Sequence, residues 1–427
     1  MSKLAVRALV VYLVLVALGG VYSEWRVLQS FVGDSDFPGY YTAALLVRRG
    51  HSAQIYAGQQ NVDPTAQGSD PHSVFARAAA ARGIRNVPLY DYPPTLADLL
   101  VPFTFLPPVP ALLAWEVVTA LAMLGSGILL AGLLGLRGAG SIALVTALLL
   151  FFRPTVATFV YGQVPVLLLL LIVAGLHCHA RGRTTWAGLF FALPIAIKLT
   201  PFILIVPLLA WRDWKTLRAI ALWGLAIVAA LWAVNGTNAL NLYVLHRVPS
   251  MSHGFIDLTN MNLRTAAQVF WYGTDQVAAP MASVWAGRLL SLLVIAFGAW
   301  LCRAHNPRQW TPPEQLVILS AFLMFSACMS PIAWRHGYVL AAPALLFLGQ
   351  RIRRGRAHLA ETALVLWFIL ALSTDKFAKW AWTLHHRALY DLAMMPPVLG
   401  VILGLIELDR IRRERQSPAT IGAEAAP

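Results

Sequence analysis

The chain has 427 residues, of which 58% are hydrophobic and only 12% are charged. A soluble domain carries about a quarter charged residues and a disordered chain needs low hydrophobicity, so both classes are excluded. Thirty-three Lys and Arg against 19 Asp and Glu leave a formal net charge of +14; the apolar residues fall in blocks approaching the ~30 Å of a bilayer core, as in a multi-pass membrane protein.

Lys3 and Arg7 precede an apolar stretch ending near Tyr22, read as an uncleaved first span with its N-terminus inside. An outer loop over 23–92 follows. It is expected to carry surface helices, because 37–49 has apolar residues at helical spacing and 73–85 is rich in Ala and Arg. The block 93–107 is expected to be a partly inserted or re-entrant helix, since a full crossing would put the later basic linkers outside. Apolar blocks then run near 110–135, 140–152, 164–180, 186–197, 200–210, 215–234, 281–302, 315–330, 335–349, 361–373 and 390–408. A second outer loop is expected over 236–280, and a disordered cytoplasmic tail over 415–427. The fold class is therefore an all-α integral membrane helix bundle of about 11–13 transmembrane helices. Residues 1–414 form one domain with outer-face loop helices.

Eighteen of the 33 cations lie in the two termini and in short linkers, among them Arg137, Arg181/Arg183, Arg212/Lys215/Arg218 and Arg351–Arg356. The positive-inside rule puts these linkers and both termini in the cytoplasm. The charge then faces anionic lipid, and no nucleic-acid partner is expected. The pattern His177-Cys178-His179 has no second ligand pair at metal spacing, so no metal site is expected. Three cysteines in or beside apolar blocks argue against a disulfide framework. The same topology gathers polar breaks on the outer face: Asp34-Ser35-Asp36, Asp91-Tyr92-Pro93-Pro94, Tyr161-Gly162-Gln163, Lys198-Leu199-Thr200-Pro201, Asn260–Arg264 and Ser330–His336. A cation such as Lys198 between short apolar blocks marks a functional site by default.

The run Ser35-Asp36-Phe37-Pro38-Gly39-Tyr40-Tyr41-Thr42-Ala43-Ala44 resembles the first outer loop of glycosyltransferase family 87. Tyr92-Pro93-Pro94-Thr95-Leu96, Gly162-Gln163-Val164, Lys198-Leu199-Thr200-Pro201 and Ser330-Pro331-Ile332-Ala333-Trp334-Arg335-His336 extend the likeness in the same order. Asn262 stands where a Ser is common, and Gly337 follows His336 where a second His is common. The resemblance implies a GT-C-type fold. It also implies inverting transfer of a hexose, usually mannose, from a polyprenyl-phosphate carrier on the outer side of the cytoplasmic membrane. The partners would be that donor, a lipid-linked or glycan acceptor and membrane lipid, with no cofactor and no metal.

The resemblance places the family's catalytic carboxylate at Asp36, with Asp34 as the competing carboxylate or a sugar or acceptor contact. Helix capping before Phe37 is the plainer role for either. Lys198, Arg264, Arg335 and His336 are candidates for the donor phosphate, which calls for charge-assisted donors. Tyr40, Tyr41, Tyr92, Gln163 and Asn260 are candidates for sugar and acceptor. The rival functions are a GT-C transferase using a polyprenyl-phosphate glucose or arabinose, and a lipid or sugar transporter. The lack of an inverted repeat weighs against the transporter.

Overall fold

The computed structural model describes residues 35–56, 70–85, 87–252, 260–272, 281–303, 310–355, 357–373, 391–392 and 394–416. The expected first span, Asp34 and most of the expected tail lie outside these residues. Every regular element among the described residues is helical. In chain order they are α1 Phe37–Arg48, α2 Val74–Ala80, α3 Pro94–Leu100, α4 Pro108–Leu133, α5 Ala139–Phe151, α6 Arg153–Val160, α7 Pro165–Ala180, α8 Thr184–Ile197, α9 Ile205–Ala210 and α10 Trp214–Leu242. There follow α11 Val248–Ser252, α12 Leu263–Tyr272, α13 Met281–Leu301, α14 Pro312–Met329, α15 Ala342–Arg353, α16 Leu359–Ser373 and α17 Met395–Gln416. Prolines open many of them, including α3, α4, α7 and α14, because the first helical turn needs no N–H and a fixed φ suits it. Thr311 and Glu314 form a capping box at α14.

The helices are those of a polytopic membrane protein. Among the described residues four are long and apolar enough to cross a bilayer, and α5 with α6 makes a fifth if that pair, bent by 66°, is one span. On α4, Leu113, Val117, Leu121, Leu124 and Ile128 form an exposed stripe at helical spacing. Such a stripe is an aggregation liability in water and suits lipid. The opposite side of α4 buries Ala111, Leu112, Trp115, Thr119, Ala122 and Ser126. Five further apolar helices run 10–17 residues, which is why the block pattern suggests more crossings than helix length alone supports. Block 93–107 folds as α3 and a 3-10 turn, Val101–Phe105. Pro94–Phe105 is one of those short apolar helices, and at 1.5 Å per residue it falls well short of ~30 Å.

Two of the expected boundaries differ. The expected start of the second loop, residue 236, falls inside α10, which continues to Leu242 and is followed by a π-helical turn, Tyr243–Arg247. Asn235-Gly236 reads as a loop in the sequence, and Gly236 does break the helix, with φ +66° and ψ −175°. Helical geometry resumes after this single left-handed residue, which glycine tolerates. At the far end, α17 extends to Gln416 and Arg415 pairs with Glu314 at 3.0 Å, two residues into the expected tail.

The described residues gather into two compact units. The first draws on Met1–Ala174, Ala196–Lys198 and Gly224–Gly254, the second on Gly175–Ile195, Leu199–Trp223 and Phe255–Pro427. In the first unit α1 is the central element: residues Phe37 to Leu46 are all buried, and the helix packs on α2, α3, α4 and the Val101–Phe105 turn. In the second unit α14 has this part, packed on α15, α17 and the 3-10 turns Thr200–Leu204 and Arg335–Ala341.

Candidate active site

The first unit contains an unbroken polar chain. Asp36 stands at the N-cap position of α1, yet its side chain makes no capping bond. Ser35 Oγ instead accepts from the Phe37 N–H at 3.3 Å. The plainer role for Asp36 is thereby removed, and its carboxylate is directed elsewhere. Gln163 Nε2 donates to Asp36 Oδ2, and Gln163 Oε1 accepts from the Tyr92 hydroxyl at 2.7 Å. The Tyr92 oxygen in turn accepts from Lys198 Nζ at 3.3 Å. Lys198 Nζ also stands 5.1 Å from the centre of the Tyr92 ring, within the range of a cation–π contact.

The local structure around Asp36 is fixed from several sides. Its backbone N–H donates to the Tyr161 carbonyl at 2.9 Å, and Ser35 Oγ donates to the same oxygen at 3.2 Å. That carbonyl belongs to the turn joining α6 to α7. Gly162 in this turn has φ +60°, and a Cβ there would lie 2.8 Å from Phe37 Cβ and 3.2 Å from Ser35 Oγ. Only glycine satisfies both the left-handed backbone and the close approach of α1. Trp115 Nε1 holds the Gly162 carbonyl at 2.9 Å. The Tyr92 segment is tied by the Tyr56 hydroxyl to the Tyr92 carbonyl (2.6 Å) and by the Tyr90 hydroxyl to the Pro93 carbonyl (2.8 Å). Tyr40 stands edge-on to Tyr92, ring centres 5.0 Å apart. Asp91 is clasped by the buried Arg247, whose Nε donates at 2.8 Å.

Asp36 is half-buried. Burial pushes its carboxyl up to about 7, against the opposing pull of the Gln163 hydrogen bond; the Asp91 charge adds to the rise and the Lys198 charge reduces it. A carboxylate that titrates near neutrality is a workable general base. Its second oxygen, Oδ1, takes no hydrogen bond from a described residue.

Five of the expected site residues, Asp36, Tyr40, Tyr92, Gln163 and Lys198, thus meet in the first unit. Tyr41, on the same helix, has its hydroxyl engaged by the Leu106 carbonyl at 2.9 Å. Tyr56, downstream of the Ser35–Ala44 run in the family resemblance, also holds this cluster, as do Trp115 and Arg247, which have no motif character in the sequence.

Asn260, Arg264, Arg335 and His336 belong to the second unit. Asn260 is fully buried. Its Oδ1 accepts from the Ala333 N–H (2.8 Å) and from Asn262 Nδ2 (3.0 Å), and its Nδ2 donates to the Pro331 carbonyl (3.2 Å). Met261 N–H donates to the Ala333 carbonyl at 2.8 Å. The Asn260–Arg264 segment and the Ser330–His336 loop therefore clasp each other. Asn262, the departure from the family's usual Ser, caps α12 by accepting from the Thr265 N–H at 2.7 Å, a task Ser also performs. His336 is buried, edge-on to Trp334 with ring centres 5.7 Å apart. Arg264 is buried and Arg335 half-buried.

The sequence profile described as glycosyltransferase family 87 matches residues 90–331, which include Tyr92, Gln163 and Lys198 but not Asp36. The chain is similar to the polyprenol-phosphate-mannose-dependent alpha-(1-2)-phosphatidylinositol mannoside mannosyltransferase of Mycobacterium tuberculosis, 28% identical over 281 residues, 62% of either chain. It is also similar to the corresponding pentamannoside mannosyltransferase of Mycolicibacterium smegmatis, 27% identical over 267 residues, 61% of this chain and 60% of that one. The match thus spans under two thirds of these relatives' length. No solved structure matches the chain.

Proposed function

From a chain that belongs to glycosyltransferase family 87, we propose a mannosyltransferase that draws on a polyprenyl-phosphate mannose donor. The acceptor is a hydroxyl of a mannose-bearing glycolipid, the kind named for the relatives. The enzyme is multi-pass in the cytoplasmic membrane, with both termini inside and the site at the outer face.

Asp36 is the general base. Its Oδ1 takes the proton of the acceptor hydroxyl as that oxygen attacks the sugar's anomeric carbon. The bond from that carbon to the phosphate oxygen breaks on the opposite face, and the configuration inverts. The electron pair leaves with the polyprenyl phosphate, which departs as the free lipid phosphate. Lys198 supplies charge to that phosphate: one ammonium N–H donates to Tyr92, and the other two donate to no described residue. The reading rests on the first unit alone.

The observation that carries this reading is a carboxylate at a helix N-cap that declines to cap and instead ends a polar chain beginning at a lysine. The test is incubation of the purified chain with labelled polyprenyl-phosphate mannose and membrane extract. Label transferred to a glycolipid is the expected result. Label that crosses a liposome bilayer with no new product would overturn it in favour of a transporter.

A further inference from the structure

The sequence suggests that Tyr92 and Gln163 touch the sugar or the acceptor. In the structure both ends of the Gln163 amide and both functions of the Tyr92 hydroxyl are already taken by protein. We infer that Tyr92 and Gln163 are positioning residues, a relay through which Lys198 fixes the orientation of the Asp36 carboxylate. This inference rests on the base assignment above.

The argument is one of donor and acceptor direction. A lysine ammonium has donors only, so the Tyr92 oxygen accepts from Lys198 and the Tyr92 proton must go elsewhere. It goes to Gln163 Oε1 at 2.7 Å. That bond decides which way the Gln163 amide faces, because a flipped amide would set its NH2 against the Tyr92 proton and its carbonyl against the carboxylate. The unflipped amide offers Nε2 to Asp36 Oδ2. Every link of the chain therefore points its proton toward Asp36, and this arrangement suits the ionised carboxylate.

Two consequences follow. Oδ2 is occupied, so Oδ1 is the oxygen left for an acceptor hydroxyl. The relay also opposes burial, since the Gln163 bond lowers what burial raises, and so keeps a usable fraction of the base ionised near neutrality. Gln163 is itself anchored at the backbone, its N–H donating to the Thr158 carbonyl at 2.8 Å. It is 2% exposed, which leaves little of its amide for a sugar.

The test uses the full chain with polyprenyl-phosphate mannose as donor and measures kcat and KM across pH for Tyr92→Phe, Gln163→Leu and the double variant. Loss of a hydrogen bond to the charged form raises the carboxyl pKa, so the acid limb of the rate profile is expected to move up by about one pH unit in each single variant. The fall, about fivefold near pH 7 and about tenfold well below it, should appear in kcat more than in the donor KM. The double variant should lose no more than either single one, because breaking one link disconnects the chain. A sugar or acceptor contact would instead raise KM and leave the limb in place, and additive losses with an unmoved limb would overturn the relay. Should Gln163→Leu fail to fold, the Tyr92→Phe profile decides alone, since it removes one oxygen and keeps the ring. Normal transfer by Asp36→Asn would sink the base assignment itself, a result these profiles do not mimic.

Discussion

Two polar breaks in this apolar chain look alike in sequence and differ in what their side chains do. Around Asn260 the amides are satisfied by each other and by backbone: Asn262 bonds to Asn260, the two bond to Pro331, Ala333 and Thr265, and the outcome is two loops locked together. Around Asp36 the side chains bond to one another, in one direction, and the chain ends on a carboxylate with an oxygen to spare. A buried polar group must find a partner wherever it is. The difference is that the first cluster closes on itself, whereas the second is left with a titratable end. Burial and polarity alone do not distinguish a closed clasp from a cluster with a titratable end; the direction of the donors does.

Substitutions can break or sharpen this contrast. The largest effect is expected at the titratable end: Asp36→Asn should lower turnover about 10³-fold or more, the scale of losing a general base, without loss of folded protein by size-exclusion chromatography. Next, Lys198→Met should lower kcat/KM for the donor roughly 10- to 100-fold, since a charge-assisted bond to phosphate is lost. In the clasp the expected damage is to stability. Asn260→Ala removes three buried hydrogen bonds and should cost about 3 kcal/mol, seen as a lowered thermal unfolding temperature, with turnover per folded molecule within a few-fold of wild type. If Asn260→Ala kept its stability but lost turnover, the clasp would be a binding site and the contrast would fail. The smallest effect is expected for Asn262→Ser, under about 1 kcal/mol, because Ser retains the cap at α12.

Much of this molecule was legible in the sequence. Blocks 164–180, 186–197 and 361–373 fold as Pro165–Ala180, Thr184–Ile197 and Leu359–Ser373, since apolar runs bounded by Pro, Gly and basic residues carry their own ends. Gln163 and Lys198 stood out because polar groups are costly in an apolar setting, whereas Asp36 and Tyr92 stood out through the resemblance to glycosyltransferase family 87. Their wiring was not legible. Asp36 and Gln163 are 127 residues apart, and Tyr92 and Lys198 are 106 apart, so only the packing of α1 against the Gly162 turn could show which atoms meet. For the same reason Asn260 resembled a sugar ligand: an amide advertises hydrogen bonding without saying to what. Arg247 and Trp115 carried no signal at all, because a cation near a loop and an aromatic ring in an apolar helix are ordinary in a membrane protein.

The central claim, that the Asp36 carboxylate is the base, is tested most directly by turnover of wild type and Asp36→Asn between pH 5.5 and 9 with polyprenyl-phosphate mannose as donor. A base must be ionised to accept a proton, and burial places this carboxyl near 7. Wild-type turnover should therefore rise with pH through about 7 and level off above it, while Asp36→Asn should stay close to background throughout. An Asp36→Asn protein that turns over at the wild-type rate would contradict the account.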